Sequence, residues 1–97
     1  MTINEVLQQL KTSEHPVARI LHKTEHCKVL VIGFNSGMIL KEHKTQVGGK
    51  LTVLLGHIIY TQGDTEIEAF QYDEIIIPVN IVHSVMAIDD SLCLLSL

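Results

Sequence analysis

The sequence predicts an all-β barrel that follows one short helix. The chain of 97 residues contains a succession of apolar runs of strand length, separated at short intervals by turn-forming residues. Such a series of short strands is typical of a β sandwich or barrel. Hydrophobic residues make up 46% of the chain, and with two tyrosines, two phenylalanines and no tryptophan the core must be mainly aliphatic.

Helical spacing of apolar residues is confined to the beginning of the chain. The segment INEVLQQLK, residues 3–11, repeats its apolar side chains at the spacing of one helix face (Ile3, Val6, Leu7 and Leu10). We therefore expect one short helix within an N-terminal extension at residues 1–14.

After Pro16 the pattern changes to that of strands. The run CKVLVIGF, residues 27–34, is apolar on both faces, which is typical of a strand buried on both sides. The run KLTVLLGHIIYT, residues 50–61, reads as one long strand with a bend at Gly56. The full set of predicted strands is 17–21, 27–34, 38–45, 50–61, 65–70, 72–78, 81–88 and 92–97. They are expected to form a single domain over 1–97, with its barrel core at 27–97.

Charge and hydropathy argue against several classes of partner. The formal net charge is −4 with only seven basic residues, which gives little electrostatic support for nucleic-acid binding. No apolar run approaches the roughly 20 residues of a membrane span, and the amphipathic first segment does not resemble a signal peptide. We therefore expect a cytoplasmic protein that binds neither nucleic acid nor membrane.

Two further expectations follow from the composition. In a reducing compartment Cys27 and Cys93 are expected to be reduced core thiols rather than a disulfide. The mean hydropathy of +0.29 is a little more than a small monomer needs, so we expect some apolar surface to be buried in a homodimer.

Two segments carry a recognisable spacing of glycine, histidine and proline. The first matches the pattern G-x5-H-x-H-x3,4-E-x6-G. Gly37 begins it and His43 falls on the first histidine. Thr45 stands at the second histidine, Gly49 at the glutamate and Gly56 at the closing glycine.

The second segment matches the pattern G-x5-P-x-G-x2-H-x3-N. Pro78 and His83 fall in register, whereas Tyr72 and Asn80 stand at the two glycines and Ala87 at the asparagine. Together the two segments resemble the motifs of the cupins over residues 27–97. The resemblance implies a double-stranded β-helix, the cupin jelly-roll barrel.

The resemblance also implies a site inside the barrel. Cupins that bind metal hold Fe, Mn, Zn or Ni through three residues of the first motif and the histidine of the second, since imidazole and carboxylate suit such ions. This chain keeps His43 and His83 as candidate ligands and lacks the other two. His57 is a candidate third ligand. The pocket around them is expected to be lined by Ile39, Thr45, Val53 and Val85.

Three functions remain compatible with these residues. The loss of two ligands favours a protein that binds a small molecule in the barrel, with or without one divalent transition metal. The alternatives are a metal-dependent enzyme of isomerase or oxygenase type with a reduced site, and a non-catalytic dimeric interaction module. His43 and His83 are also compatible with a plain structural role, as core histidines satisfied by hydrogen bonds.

Overall fold

The computed structural model describes residues 1–44 and 46–97, apart from the side chains at positions 42 and 43. In this part of the chain one helix precedes nine strands. The elements are α1 (Thr2–Leu10), β1 (Val17–Lys23), β2 (Lys28–Phe34), β3 (Ile39–His43), β4 (Gly49–Leu55), β5 (His57–Gln62), β6 (Thr65–Phe70), β7 (Glu74–Ile77), β8 (His83–Ala87) and β9 (Ser91–Ser96). No helix in the described ranges is long and apolar enough to cross a membrane.

The strands form two antiparallel sheets that pack face to face. Sheet A has the order β1-β2-β9-β4-β7, and sheet B has the order β3-β8-β5-β6. The chain therefore passes repeatedly from one sheet to the other, and the all-β prediction with one leading helix is confirmed. Strand β1 precedes the predicted barrel core at 27–97, yet it belongs to sheet A through its pairing with β2.

The predicted strand over 50–61 is wrong, because two strands in different sheets occupy this range. Gly56 lies between β4 and β5 with a φ of +99°. This left-handed conformation is readily accessible only to glycine. An added Cβ at Gly56 would collide with the backbone at Asp90 and Ser91. The turn at Gly56 therefore breaks the strand and carries the chain from sheet A to sheet B.

The main core fills the space between the two sheets. Its members are buried and predominantly aliphatic, with one phenylalanine and one tyrosine: Ile32, Phe34, Leu51, Val53, Ile58, Tyr60, Ala69, Ile75, Ile77, Val85, Ala87, Cys93 and Leu95. Full burial of one such aliphatic side chain contributes about 1.5–3 kcal/mol. The interior is thus a packed core over most of its length.

A second, smaller core lies on the outer face of sheet A, beneath α1. Val6 and Leu10 of the helix pack there against Val31 and Leu92. Close approach of the helix depends on Gly33, where an added Cβ would lie 2.6 Å from Cδ1 of Leu10 and 2.7 Å from Cγ1 of Val6. The helix therefore covers the outer face of sheet A over β1, β2 and the start of β9.

The glycine positions of both motifs have the backbone conformation that glycine favours. Gly37 and Gly56 of the first motif have φ values of +85° and +99°, and Tyr72 and Asn80 of the second have +73° and +59°. Asparagine tolerates this region, but tyrosine rarely adopts it. The chain thus retains the backbone of the second motif where it has lost the glycines, which supports the alignment of the motif.

Replacement of Tyr72 by glycine is expected to stabilise the protein. Tyr72 is 75% exposed and is the third residue of a turn in which the N–H of Asp73 donates to the carbonyl of Phe70. The left-handed conformation costs a residue with a Cβ roughly 1–2 kcal/mol, and the entropy of glycine in the unfolded chain returns about 0.4–1 kcal/mol of that. Urea unfolding of Tyr72→Gly should give a free energy of unfolding about 0.5–1 kcal/mol above that of the wild type.

The matched control is Tyr72→Ala, which removes the ring but keeps the Cβ and its strain. We expect no comparable gain from alanine. An equal gain from both variants would assign the effect to loss of the exposed ring and contradict the backbone explanation.

Candidate functional site

His83 is a buried polar residue at the start of β8. Its side chain faces the inside of sheet B together with Val85 and Ala87, and the residue is 3% exposed. Its Nδ1 lies 3.1 Å from the carbonyl oxygen of Ile81. Because a carbonyl can only accept, Nδ1 must carry the proton and donate it, which leaves the lone pair of the neutral ring on Nε2. His83 is therefore held with Nε2 as the nitrogen able to accept a hydrogen bond or bind a metal.

Tyr60 and Gln62 join His83 on the inner face of sheet B. The rings of Tyr60 and His83 stack with centroids 5.7 Å apart, and the hydroxyl of Tyr60 donates to Oε1 of Gln62 at 2.8 Å. Burial raises the pKa of Tyr60, so its hydroxyl stays protonated and remains a donor. Tyr60 and Gln62 were not predicted as site residues, although the alternation from Ile58 through Tyr60 to Gln62 places them on the inner face once the break at Gly56 is known.

The two histidines of the cupin motifs lie on neighbouring strands. His43 of β3 and His83 of β8 are direct backbone partners in sheet B. The side chain of His43 lies outside the described residues, as does Thr45 altogether. The topology thus brings together the backbones of the two positions at which a metal-binding cupin carries histidine from each motif.

The position of the cupin glutamate holds a glycine that packs against Leu97. Gly49 follows the alternation of Leu51 and Val53, so a side chain here would point between the sheets. An added Cβ would lie 2.8 Å from Cδ2 of Leu97 and 3.0 Å from the carbonyl oxygen of Ser96. Among the described side chains, no group of three or more histidine, cysteine or acidic residues could hold a metal ion. The four-ligand set of the metal-binding cupins therefore does not fit this chain.

His57 is not a third ligand in this interior site. Since β5 begins after Gly56 with Ile58 and Tyr60 facing inward, His57 lies on the outer face of sheet B. Its ring is stacked on Phe70, with centroids 4.2 Å apart and a side chain 17% exposed. Its Nε2 lies 2.7 Å from Oε1 of Glu68, but this buried nitrogen has no hydrogen-bond partner of acceptable geometry among the described atoms.

None of the three described residues that were expected to line the pocket lines the cavity near His83. Ile39 is on the outer face of sheet B and 53% exposed, because a bulge between Leu40 and His43 reverses the inward and outward alternation along β3. Val53 and Val85 face inward, but they are packed in the main core at 0% and 3% exposure. Val53 and Val85 therefore stabilise the core and do not contact the cavity near His83.

A cavity of about 400 Å³ lies at the end of sheet B where β8 begins. This volume is within the range of roughly 300–1,000 Å³ for small-molecule sites. Its described lining residues are two that carry a hydroxyl group, one glycine, two aliphatic residues of the preceding loop and the buried histidine: Thr61, Gly63, Ile81, Val82, His83 and Ser84. The lining thus offers apolar contact with a few hydrogen-bonding groups, which is the usual character of such sites.

The two cysteines are in different environments. Both are free, but only Cys93 is a core residue, because Cys27 is exposed at the turn before β2. The expectation of two core thiols is therefore wrong for Cys27. Burial raises the pKa of the Cys93 thiol to about 12.

The fold is similar to those of solved cupin structures. An uncharacterized conserved protein with a double-stranded β-helix domain from Klebsiella pneumoniae is 20% identical, with a TM-score of 0.82 over 99% of this chain and 85% of that one. An RmlC-like cupin protein from Desulfovibrio desulfuricans is 24% identical, with a TM-score of 0.79 over 86% of this chain and 81% of that one. A cupin superfamily protein from Desulfitobacterium hafniense is 15% identical, with a TM-score of 0.80 over 87% of this chain and 77% of that one.

No protein-family model and no curated protein matches the chain by sequence. At the identities given above, similarity shows the fold alone. The chain has the cupin fold, and the double-stranded β-helix that the two motifs implied is confirmed.

The environments of the two cysteines predict that one thiol will react in the folded protein. At pH 8 the exposed Cys27 should react rapidly with Ellman's reagent, whereas Cys93 should react only after unfolding because it is buried and protonated. We expect one rapid equivalent in native buffer and a second in guanidinium chloride. The Cys27→Ser variant should lose the rapid equivalent, and two rapid equivalents in the wild type would contradict the burial of Cys93.

Proposed function

We propose that this chain, a small protein of the cupin fold, binds an organic small molecule in the cavity at the His83 end of sheet B. The observation that carries the proposal is the combination of that cavity with a buried histidine whose Nδ1 is anchored to the carbonyl of Ile81. A buried polar side chain held in one orientation gives a ligand a defined hydrogen-bonding partner. The aliphatic Ile81 and Val82 supply apolar contact.

The composition of the lining favours binding over acid–base catalysis. Its described polar residues are Thr61, His83 and Ser84, and none of them carries a carboxylate or an amine. General acid–base catalysis needs a titratable group within hydrogen-bond reach of the reacting proton, and His83 is the one titratable residue among the described lining residues. The lining therefore supports recognition of a ligand through hydrogen bonds and apolar contact.

A metal-dependent enzyme with a reduced site is the second candidate, favoured by the backbone pairing of His43 with His83. The missing carboxylate at Gly49, where Leu97 packs, argues against it, since the two histidines then lack the acidic ligand of the cupin site. A metal in this site would supply Lewis-acid chemistry. Two histidines without a carboxylate form a weak site, so we propose that binding here does not depend on a resident metal.

Filling the cavity is expected to abolish ligand binding. Wild-type protein should first be screened by thermal shift against a library of small metabolites. A ligand present at tenfold its Kd adds about 1.4 kcal/mol of stability, which for a domain of this size raises Tm by roughly 6–10 °C. The variant Val82→Trp should place an indole in the cavity and weaken binding of the hits by about tenfold or more, as measured by calorimetry.

The matched control is Val79→Trp in the same loop. Val79 and Val82 are 47% and 45% exposed, and only Val82 lines the cavity. If the two tryptophan variants bind a hit with equal affinity, the cavity is not the binding site of that hit. A screen without any hit would contradict the proposed function.

Elemental analysis separates the two candidates. Protein purified without chelator and then incubated with Zn, Ni, Mn or Fe(II) should retain well below one equivalent of metal, because the described donor set is incomplete. The content should be the same in His83→Gln and in His26→Ala, a control at an exposed histidine. About one equivalent in the wild type and in His26→Ala, lost in His83→Gln, would assign a metal site to His43 and His83 and support the enzyme.

A further inference from the structure

The turn between β1 and β2 borders a second cavity, of about 260 Å³. Its described lining residues have none in common with those of the cavity near His83. They come from the turn, from the strand ends on either side of it, from Val47 before β4 and from Leu97 after β9. We call this space the turn cavity. Its volume lies just below the range of roughly 300–1,000 Å³ for small-molecule sites, so its ligand must be small.

Two lysines face one another across this turn. Lys23 at the end of β1 is the direct partner of Lys28 at the start of β2, so the two side chains lie on the same face of the sheet. Both lysines line the turn cavity. Like charges directly opposite one another in a sheet are destabilising. Neither ammonium group has an ion-pair partner among the described residues, so the fold leaves two uncompensated positive charges at the cavity.

The hairpin of β1 and β2 carries positive charge in a chain that is acidic as a whole. The formal net charge is −4, yet residues 17–34 contain Arg19, Lys23 and Lys28 and one acidic residue, Glu25. Glu25 also lines the turn cavity, but its Oε2 lies 4.0 Å from Nε2 of His26 and pairs with neither lysine. The lining therefore sets two lysines against one carboxylate, which favours an anionic ligand.

The remaining lining residues supply a hydrogen-bond donor and apolar walls. The hydroxyl of Thr24 accepts from the N–H of His26 at 3.3 Å, which leaves its own proton to donate to a ligand. Val47 is 59% exposed, and Leu97 is partly buried against the main core. The turn cavity thus combines two cations and a donor with two aliphatic side chains.

We propose that the turn cavity binds a small organic phosphate, a phosphate monoester with a compact apolar group. Lysine binds phosphate as a point charge, and two facing ammonium groups match the two charges of a monoester above about pH 7. The hydroxyl of Thr24 donates to a phosphate oxygen, and Val47 and Leu97 contact the apolar group. Because the lysines lie at the surface, water and salt screen them, so the Kd should be in the millimolar range.

Titration with phenyl phosphate at low salt and pH 8 tests the site, since the ring serves as the compact apolar group. Amide NMR spectra should show saturable shifts at residues 23–28. Lys23→Gln and Lys28→Gln should each weaken binding about fivefold or more, because each removes a charge-assisted hydrogen bond. The control Lys11→Gln removes the same charge from an exposed lysine that does not line the turn cavity, and it should leave the Kd within about twofold.

Cys27 provides a second readout, because it is exposed and also lines the turn cavity. Ellman's reagent is a dianion, whereas dithiodipyridine is neutral, and both react through attack of the thiolate on a disulfide. The ratio of the two rates therefore cancels any change in the thiolate population. This ratio should fall several-fold in the double variant Lys23→Gln/Lys28→Gln and remain unchanged in Lys11→Gln. Phenyl phosphate should slow both reactions at concentrations near its Kd.

Four outcomes would overturn the proposal. The first is the absence of saturable binding of phenyl phosphate up to about 50 mM. The second is an equal loss of affinity in Lys11→Gln, which would reduce binding to the general charge of the protein. The third is saturable binding that leaves Cys27 unprotected, which would place the phosphate outside the turn cavity. The fourth is an equal affinity for inorganic phosphate, which would show that the apolar walls contribute nothing.

Discussion

The turn at Gly56 is the constraint on which the arrangement of the site depends. Its left-handed backbone lets β4 end in sheet A and β5 begin in sheet B. The hydroxyl of Ser91 holds the turn, because it accepts from the N–H of His57 at 3.1 Å and donates to the carbonyl of Asp89 at 2.7 Å. The absence of a side chain at Gly56 is what lets β9 approach so closely. The direction of every side chain on β5 follows from this crossing.

The alternation of inward and outward side chains could be predicted within a regular strand. It could not be predicted across a turn or a bulge that interrupts the strand. The strand pattern and the two motifs predicted the fold, since alternation reports burial locally and the motif spacing reports the positions of turns. His57 was misplaced because a glycine with positive φ restarts the alternation, and a sequence does not reveal φ. Ile39 was misplaced for a related reason, since the bulge between Leu40 and His43 sets three residues against two.

The cupin site is changed in this chain in its packing as well as in its ligands. The glutamate is missing, and the side chain of Leu97 packs against Gly49, where that glutamate would stand. Val53 and Val85 are likewise fully packed where an interior pocket would need open walls. This could not be read from the motif, because the motif specifies which positions carry ligands and not which distant residues fill the space around them. The cavity accordingly lies at the end of the sheet, beside His83.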